Sequence, residues 1–263
     1  MSSEKVLTER RGHLLLISLN RPEKLNAFDP EMIGQLSAAY TQLDKDPELR
    51  CGVLSAQGRY FTSGLELDKV VKALPREVIM PRMVPRGAVN PWGTFGKTCR
   101  KPVVSAVEGP CYTLGIELLL CAQITVASES ARFTQSEISR GIFPFGGGTV
   151  RWPLATGTQN AYLHLLTADE FDATEAYRIG LAQKVVPPGE ALAAAITIAE
   201  RIAQQAPLGV QATMESVRHM QTHGAESALK RVRGKLLRLM LSKDARRGVA
   251  AFKARKPAEF MGN

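Results

Sequence analysis

The sequence predicts a layered α/β fold that gives way to a helical region towards the C-terminus. Three observations carry this. Strand, strand and helix signals alternate repeatedly up to about residue 190. From there only the helical period is left. The size fits as well: 263 residues at 44% hydrophobic and 22% charged suffice for one large buried core. We therefore divide the chain into a core at 1–190 and a helical region at 191–263.

The elements follow in order. Residues 13–19, HLLLISL, form a short apolar run closed by the turn Asn20-Arg21-Pro22, which reads as a buried strand. Asp29-Pro30-Glu31 opens a helix to about Leu43: Asp is the N-cap, Pro takes the first position, and Glu lies in the first turn. Residues 51–56 are a second strand, ended by Gln57-Gly58, and 61–67 is a loop into a short helix. The segment 70–86 holds Pro75, Pro81 and Pro85 and reads as a mobile helix–loop stretch. A strand at 103–107 is closed by Gly109-Pro110 and followed by a helix after Tyr112. Residues 124–127 and 132–134 are further strands, and GIFPFGGG at 141–148 is a loop feeding a helix at Thr149. Helices then fit 159–167, 173–179, 190–205, 208–222, 225–241 and 244–255.

The net charge is +9, which suits an anionic partner, either nucleic acid or a phosphate-bearing small molecule. Basic residues thicken in LKRVRGKLLRLMLSKDARRG and FKARKP, where a solvated helix face explains them equally well. Of aromatics only Phe252 and Phe260 lie there, so the stacking that single-stranded nucleic acid needs is poorly supplied. No apolar run is long enough to span a membrane. MSSEKVLTERRG lacks the apolar stretch of a secretory signal. Cys51, Cys99, Cys111 and Cys121 show no CxxC spacing and read as thiols of a reducing, cytoplasmic compartment, with Cys111 and Cys121 buried.

Most chemistry candidates fall away. The glycines at 146–148 fit neither GxGxxG nor a P-loop. His219 and His223 have metal-pair spacing without the Glu of a zinc protease helix, and read as a solvated face. His164 sits in the apolar AYLHLL and reads as packed. No GxSxG elbow is present. No metal site is expected.

Carboxylates remain. In YTLGIELLLC, Leu114, Glu117, Leu118 and Cys121 share one helix face, so Glu117 points with the apolar stripe. A carboxylate there must be paired, protonated or used. A capping box would need Glu three residues after a Ser or Thr, and from Thr113 that place is Ile116. Glu137, in FTQSE, is open to a plainer reading, a surface pair with Arg140. Taken together, the two glutamates end neighbouring strand–helix units. They can face one pocket as an acid and a base.

Here the chain resembles the crotonase superfamily, the enoyl-CoA hydratase/isomerase fold. The resemblance runs through LNRPEKLNAF (19–28), GRYFTSGLEL (58–67), KPVVSAVEG (101–109), ELLLCAQITVASESARFTQSEISRGIFPFGGGT (117–149), RIGLAQKVVP (178–187) and AFKARKP (251–257). It implies a spiral of ββα units with a C-terminal helical trimerisation region, in trimers or hexamers. It also implies an oxyanion hole made by the N–H of Leu65, after Gly64, and that of Leu114. Glu117 and Glu137 fall on the two hydratase positions: Glu117 helps deprotonate a water that attacks the β-carbon, and Glu137 delivers a proton to the α-carbon. Lys24, Leu25 and Ala27 would border coenzyme A, with Phe252 and Arg255 of a neighbouring subunit at adenine and phosphate. Coenzyme A is part of the acyl-CoA substrate, so no separate cofactor is implied, and it accounts for the basic charge better than nucleic acid does.

The chain departs from the family pattern at several places. Gly64-Leu65-Glu66 replaces a GAD loop, Gln123 an Asp, and only Gly115 remains of a glycine run at 113–115. Phe145 replaces a glycine near the catalytic water, which implies a smaller acyl pocket or a drier one. The resemblance leaves other reactions open on the same fold: double-bond isomerisation, C–C or thioester hydrolysis, and a non-enzymatic RNA-binding role.

Overall fold

The computed structural model describes residues 4–68 and 83–263. The core is a six-stranded sheet in the order β1 (Val6–Arg11), β2 (Leu14–Leu19), β3 (Cys51–Ala56), β4 (Val103–Val107), β6 (Ile124–Ser128) and β9 (Lys184–Val186). All its pairings are parallel except β1 with β2. Parallel strands are covered on both faces, which is why β3 and β4 are buried almost throughout and read as apolar runs broken only by Ser55 and Ser105. The sequence signals do not mark β1, because this edge strand buries little beyond Val6. Nor do they mark the short β9.

Helix α1 (Pro30–Lys45) starts as predicted: the Asp29 side chain accepts the Met32 N–H, and Pro30 stands at its first position. Its Leu43 packs so closely on β3 that a Cβ at Gly52 would lie 2.7 Å from Leu43 Cδ2. A second, three-stranded sheet joins β5 (Pro110–Tyr112), β7 (Arg132–Thr134) and β8 (Phe171–Asp172). Between β5 and β6 lies α2 (Leu114–Leu119), and Glu137–Arg140 form a 3-10 turn. Then come α3 (Gly148–Thr156), α4 (Thr158–Thr167) and α5 (Ala173–Ile179).

The helical region begins with α6 (Ala191–Ala203), which closes the other face of the main sheet. Ala191, Ala195, Ala199 and Ala203 line one side of α6 and pack on Val53, Val104 and Val126. The chain then leaves the sheet through α7 (Pro207–His223), α8 (Ala225–Met240) and α9 (Lys243–Ala254). The stripe Leu236, Leu237, Met240 and Leu241 is solvent-facing in the single chain, 54–77% exposed, so it is not an intrachain core. His219 and His223 stack on each other at 4.2 Å, and no acidic, Cys or His cluster able to hold a metal occurs among the described residues. His164 is packed against Phe171 and meets Glu175 at 3.2 Å. The four cysteines are free thiols; Cys111 is buried and Cys121 half-buried. Among the described residues no helix is long and apolar enough to cross a membrane.

Candidate active site

Three successive turns of the chain deliver side chains to one cavity. Each turn leaves a strand of the main sheet and adds a stretch to the second layer. After β3, Thr62 bridges in parallel to Cys111 of β5. After β4, β5 runs in register with β7, Tyr112 opposite Thr134. After β6 comes β7 itself. Leu65 lies three residues past Thr62, Leu114 and Glu117 two and five past Tyr112, and Glu137 three past Thr134. The repeat thus converts distant sequence positions into neighbours. Ser63, Leu65, Leu67, Thr113, Leu114, Glu137, Arg140, Ile142 and Phe145 line a cavity of about 60 Å³.

Glu117 is completely buried, on the helix face its register predicts. Its Oε1 accepts the Gly148 N–H at 2.7 Å, at the start of α3. Among the described residues its Oε2 has no hydrogen-bond partner. This contact explains the glycine loop. A Cβ at Gly146 would lie 2.7 Å from Glu117 Oε2, and one at Gly148 2.9 Å from Oε1. The loop is a seat for a carboxylate, not a phosphate cradle. Burial pushes the Glu117 carboxyl up to about 7; the Gly148 N–H opposes the rise and the Glu137 charge adds to it.

Glu137 is 5% exposed, at the head of its 3-10 turn. Burial raises its carboxyl too. Its Oε1 accepts from Gln135 Nε2 at 2.9 Å, while Oε2 is buried without a partner among the described residues. The surface pair with Arg140 is not made: the Arg140 guanidinium donates to Ser136 O at 3.2 Å and Ser136 Oγ at 2.7 Å. Gln135 has no freedom to turn over, because its Oε1 accepts the Trp152 indole N–H at 3.0 Å. The amide must therefore present N–H to Glu137.

Across the cavity, the N–H groups of Leu65 and Leu114 have no acceptor among the described residues. Thr62 fixes both segments. Its hydroxyl donates to Asn26 O at 2.7 Å and accepts the Gly64 N–H at 3.1 Å, while its carbonyl accepts the Tyr112 N–H at 3.0 Å. A Cβ at Gly115 would lie 2.3 Å from Thr62 Cγ2, so α2 can seat here only on glycine. Trp92 donates its indole N–H to Leu114 O at 3.0 Å and meets Phe28 edge-on at 5.3 Å.

A sequence profile described as Enoyl-CoA hydratase/isomerase matches residues 9–263. Enoyl-CoA hydratase EchA19 of Mycobacterium tuberculosis is 34% identical over 98% of this chain and 97% of its own. A solved probable enoyl-CoA hydratase/isomerase from Mycobacterium abscessus superposes with a TM-score of 0.95 at 45% identity, covering 99% of each chain. A solved enoyl-CoA hydratase from Mycobacterium tuberculosis gives 0.87 at 30% identity, over 98% of this chain and 99% of that one. The chain belongs to the enoyl-CoA hydratase/isomerase family. It has the crotonase fold, and its named relatives are hydro-lyases.

Against the pattern of that family the expected residues are distributed as follows. Glu137, Leu65, Leu114 and Phe145 line one cavity; Glu117 stands outside that lining but near enough for the Glu137 charge to raise its carboxyl, and Gly64 abuts Thr113. Lys24, Leu25 and Ala27 lie on the turn between β2 and α1, beside the Leu65 segment: Ser63 N–H donates to Leu25 O at 2.9 Å and Phe28 N–H to Gly64 O at 2.8 Å. Asn26 holds this turn with bonds from Nδ2 to Gln57 O and Tyr60 O, both 2.8 Å. Phe252, 85% exposed, and Arg255 stand at the end of α9, outside the cavity lining of their own chain. Of the stretch 70–86, read from the sequence as a mobile helix–loop segment, residues 70–82 lie outside the described residues.

Sequence reasoning missed Gln135, Trp152, Gly148 and Thr62. A signal existed only for Gln135: a glutamine inside FTQSE, directly after an apolar strand, needs partners if it is buried. It missed Thr113 as well. This residue sits at φ 51, ψ −117, backbone that glycine favours. Holding a β-branched residue there costs on the order of 1–3 kcal/mol.

Proposed function

We propose that this protein is an enoyl-CoA hydratase that adds water across the double bond of a short trans-2-enoyl-CoA. One observation carries the reading: two buried carboxylates each keep one oxygen hydrogen-bonded and one without a partner among the described residues. Such a pair can hold a single water from both sides. The N–H groups of Leu65 and Leu114 supply donors for the thioester oxygen.

In this reading Glu117 takes a proton from the water as its oxygen bonds to the β-carbon. The π electrons move onto the thioester oxygen as an enolate. Glu137 gives a proton to the α-carbon, and the enolate collapses to the 3-hydroxyacyl-CoA. The reaction needs one proton on the carboxylate pair. Burial and mutual repulsion favour that state, since two adjacent carboxylates do not readily ionise together. Lys24, Leu25 and Ala27 border the coenzyme A moiety, with Phe252 and Arg255 of a second copy closing over it. Coenzyme A arrives with the substrate and no further cofactor is needed. The apolar stripe on α8 packs in a trimer or hexamer, so light scattering is expected to return three or six times the 28.7 kDa of one chain.

The test is the fall in enoyl absorbance when crotonyl-CoA meets the wild-type protein. Turnover supports the reading. Binding of the thioester without turnover overturns it in favour of isomerisation or hydrolysis.

Phe145 and Ile142 are among the residues lining a cavity of about 60 Å³, a size that favours short acyl chains. Phe145→Ala is therefore expected to raise the kcat/KM ratio of 2-decenoyl-CoA over crotonyl-CoA about tenfold or more, since each methylene admitted to an apolar pocket is worth roughly 10-fold. An unchanged ratio would remove Phe145 from the specificity argument.

A further inference from the structure

We propose that the Thr113 hydroxyl is a third hydrogen-bond donor to the thioester oxygen, beside the N–H groups of Leu65 and Leu114. The inference rests on the reading that an acyl-CoA thioester occupies this cavity.

Four observations lead to it. Thr113 stands directly between the two donor segments and lines the same cavity as Leu65, Leu114 and Glu137. The residue is about nine-tenths buried, while its hydroxyl oxygen keeps some accessible surface and has no hydrogen-bond partner among the described residues. The backbone is strained in an unusual way. Leu25, Ala168 and Arg255 also have positive φ, but their ψ values of 34, 17 and 41 are those of ordinary left-handed residues. Thr113 has ψ −117, and this conformation is clamped: its N–H donates to Thr134 O at 2.9 Å and its carbonyl accepts the Glu117 N–H at 3.2 Å. Finally, the hydroxyl oxygen lies against the Cα of Gly64, the residue before Leu65. A Cβ added at Gly64 would come within 1.8 Å of Thr113 Oγ1.

Glycine would relieve the strain at 113 and threonine does not. What threonine adds is a donor in a site where charge develops on oxygen. A preorganised donor there strengthens as the carbonyl becomes an enolate, so it acts on kcat more than on KM. The hydroxyl stays neutral throughout; it donates a hydrogen bond and transfers no proton.

The test uses Thr113→Val, Thr113→Ser and Thr113→Gly in the full-length protein. Two readouts are taken: crotonyl-CoA hydration, and the infrared carbonyl stretch of bound butyryl-CoA, isotope-labelled at the thioester carbon. Butyryl-CoA has no double bond to hydrate, so the second readout is independent of turnover. Thr113→Val is expected to lower kcat about 10²-fold with KM within a few-fold, and to reduce the carbonyl downshift. Thr113→Ser is expected to restore both. Thr113→Gly is expected to melt no lower than wild type and still lose activity, which separates a donor from a packing role. Binding of butyryl-CoA with a Thr113-dependent shift, but no hydration by wild type, supports the donor and overturns the hydratase reading alone. Hydration with a shift indifferent to Thr113→Val overturns the donor alone. No binding of butyryl-CoA overturns both.

Discussion

Glu137→Gln is expected to lower kcat for crotonyl-CoA hydration by about 10²–10⁴-fold, the usual worth of a positioned acid or base, with KM within a few-fold. The substitution is nearly isosteric. The Gln135 amide still finds an acceptor in the new side-chain carbonyl, and the Trp152–Gln135 bond is untouched. Only the transferable proton is gone, so the loss belongs to the chemical step and not to binding. Glu117→Gln is expected to cost a similar factor, its carbonyl oxygen still accepting from Gly148. The double variant should lose little more than either single one, because residues that act as a unit are not additive. Stopped-flow or steady-state absorbance on the three variants checks this. If the wild type converts 3-enoyl to 2-enoyl thioesters without hydrating them, and Glu117→Gln leaves that conversion running on Glu137 alone, the protein is an isomerase with a passive second carboxylate. If Glu137→Gln keeps activity within tenfold, the acid lies elsewhere.

The parts of this site that were legible share a local cause. β3 and β4 are readable because burial on both faces demands near-continuous apolar runs, and α1 because its cap residues act within one turn. Glu117 stood out because helical register places a charge among Leu114, Leu118 and Cys121 without help from distant residues. What stayed hidden depends on long-range contact. Gly146 and Gly148 are explained by a carboxylate about 30 residues earlier in the chain, and Gly147 by the Arg151 guanidinium packed against it. Gln135 gains meaning only from Trp152. β5, β7 and β8 are two or three residues long and carry almost no periodicity; their pairing with each other defines them. The φ of Thr113 is imposed by its neighbours against its own preference, so its identity alone pointed away from the conformation it adopts.

The same burial that prepares Glu117 for chemistry makes a thermodynamic signature. Its carboxyl is raised from 4.5 to about 7. Between those values the native state holds a proton that the unfolded chain has released, so stability falls as pH rises through that window. The whole effect is on the order of 3 kcal/mol, at about 1.4 kcal/mol per unit. Glu137, also raised, contributes with the same sign. Asp29, Asp44 and Asp244 are lowered despite burial, by hydrogen bonds and nearby cations, and act oppositely. Their stabilisation is complete above roughly pH 4 and is lost below it. The two sets therefore separate on the pH axis. Glu117→Gln cannot ionise and escapes the neutral-pH penalty. It is expected to match wild type at pH 5 and to exceed it at pH 8 by about 1–3 kcal/mol, part of the gain being offset by an unpartnered amide N–H. Thermal melts of both proteins at pH 5, 6, 7 and 8 read the difference. Curves that diverge with rising pH identify Glu117 as a destabilising carboxylate retained for its reaction. Parallel curves would mean that Glu117 titrates near its ordinary value, and the argument for a shared proton would fall with them.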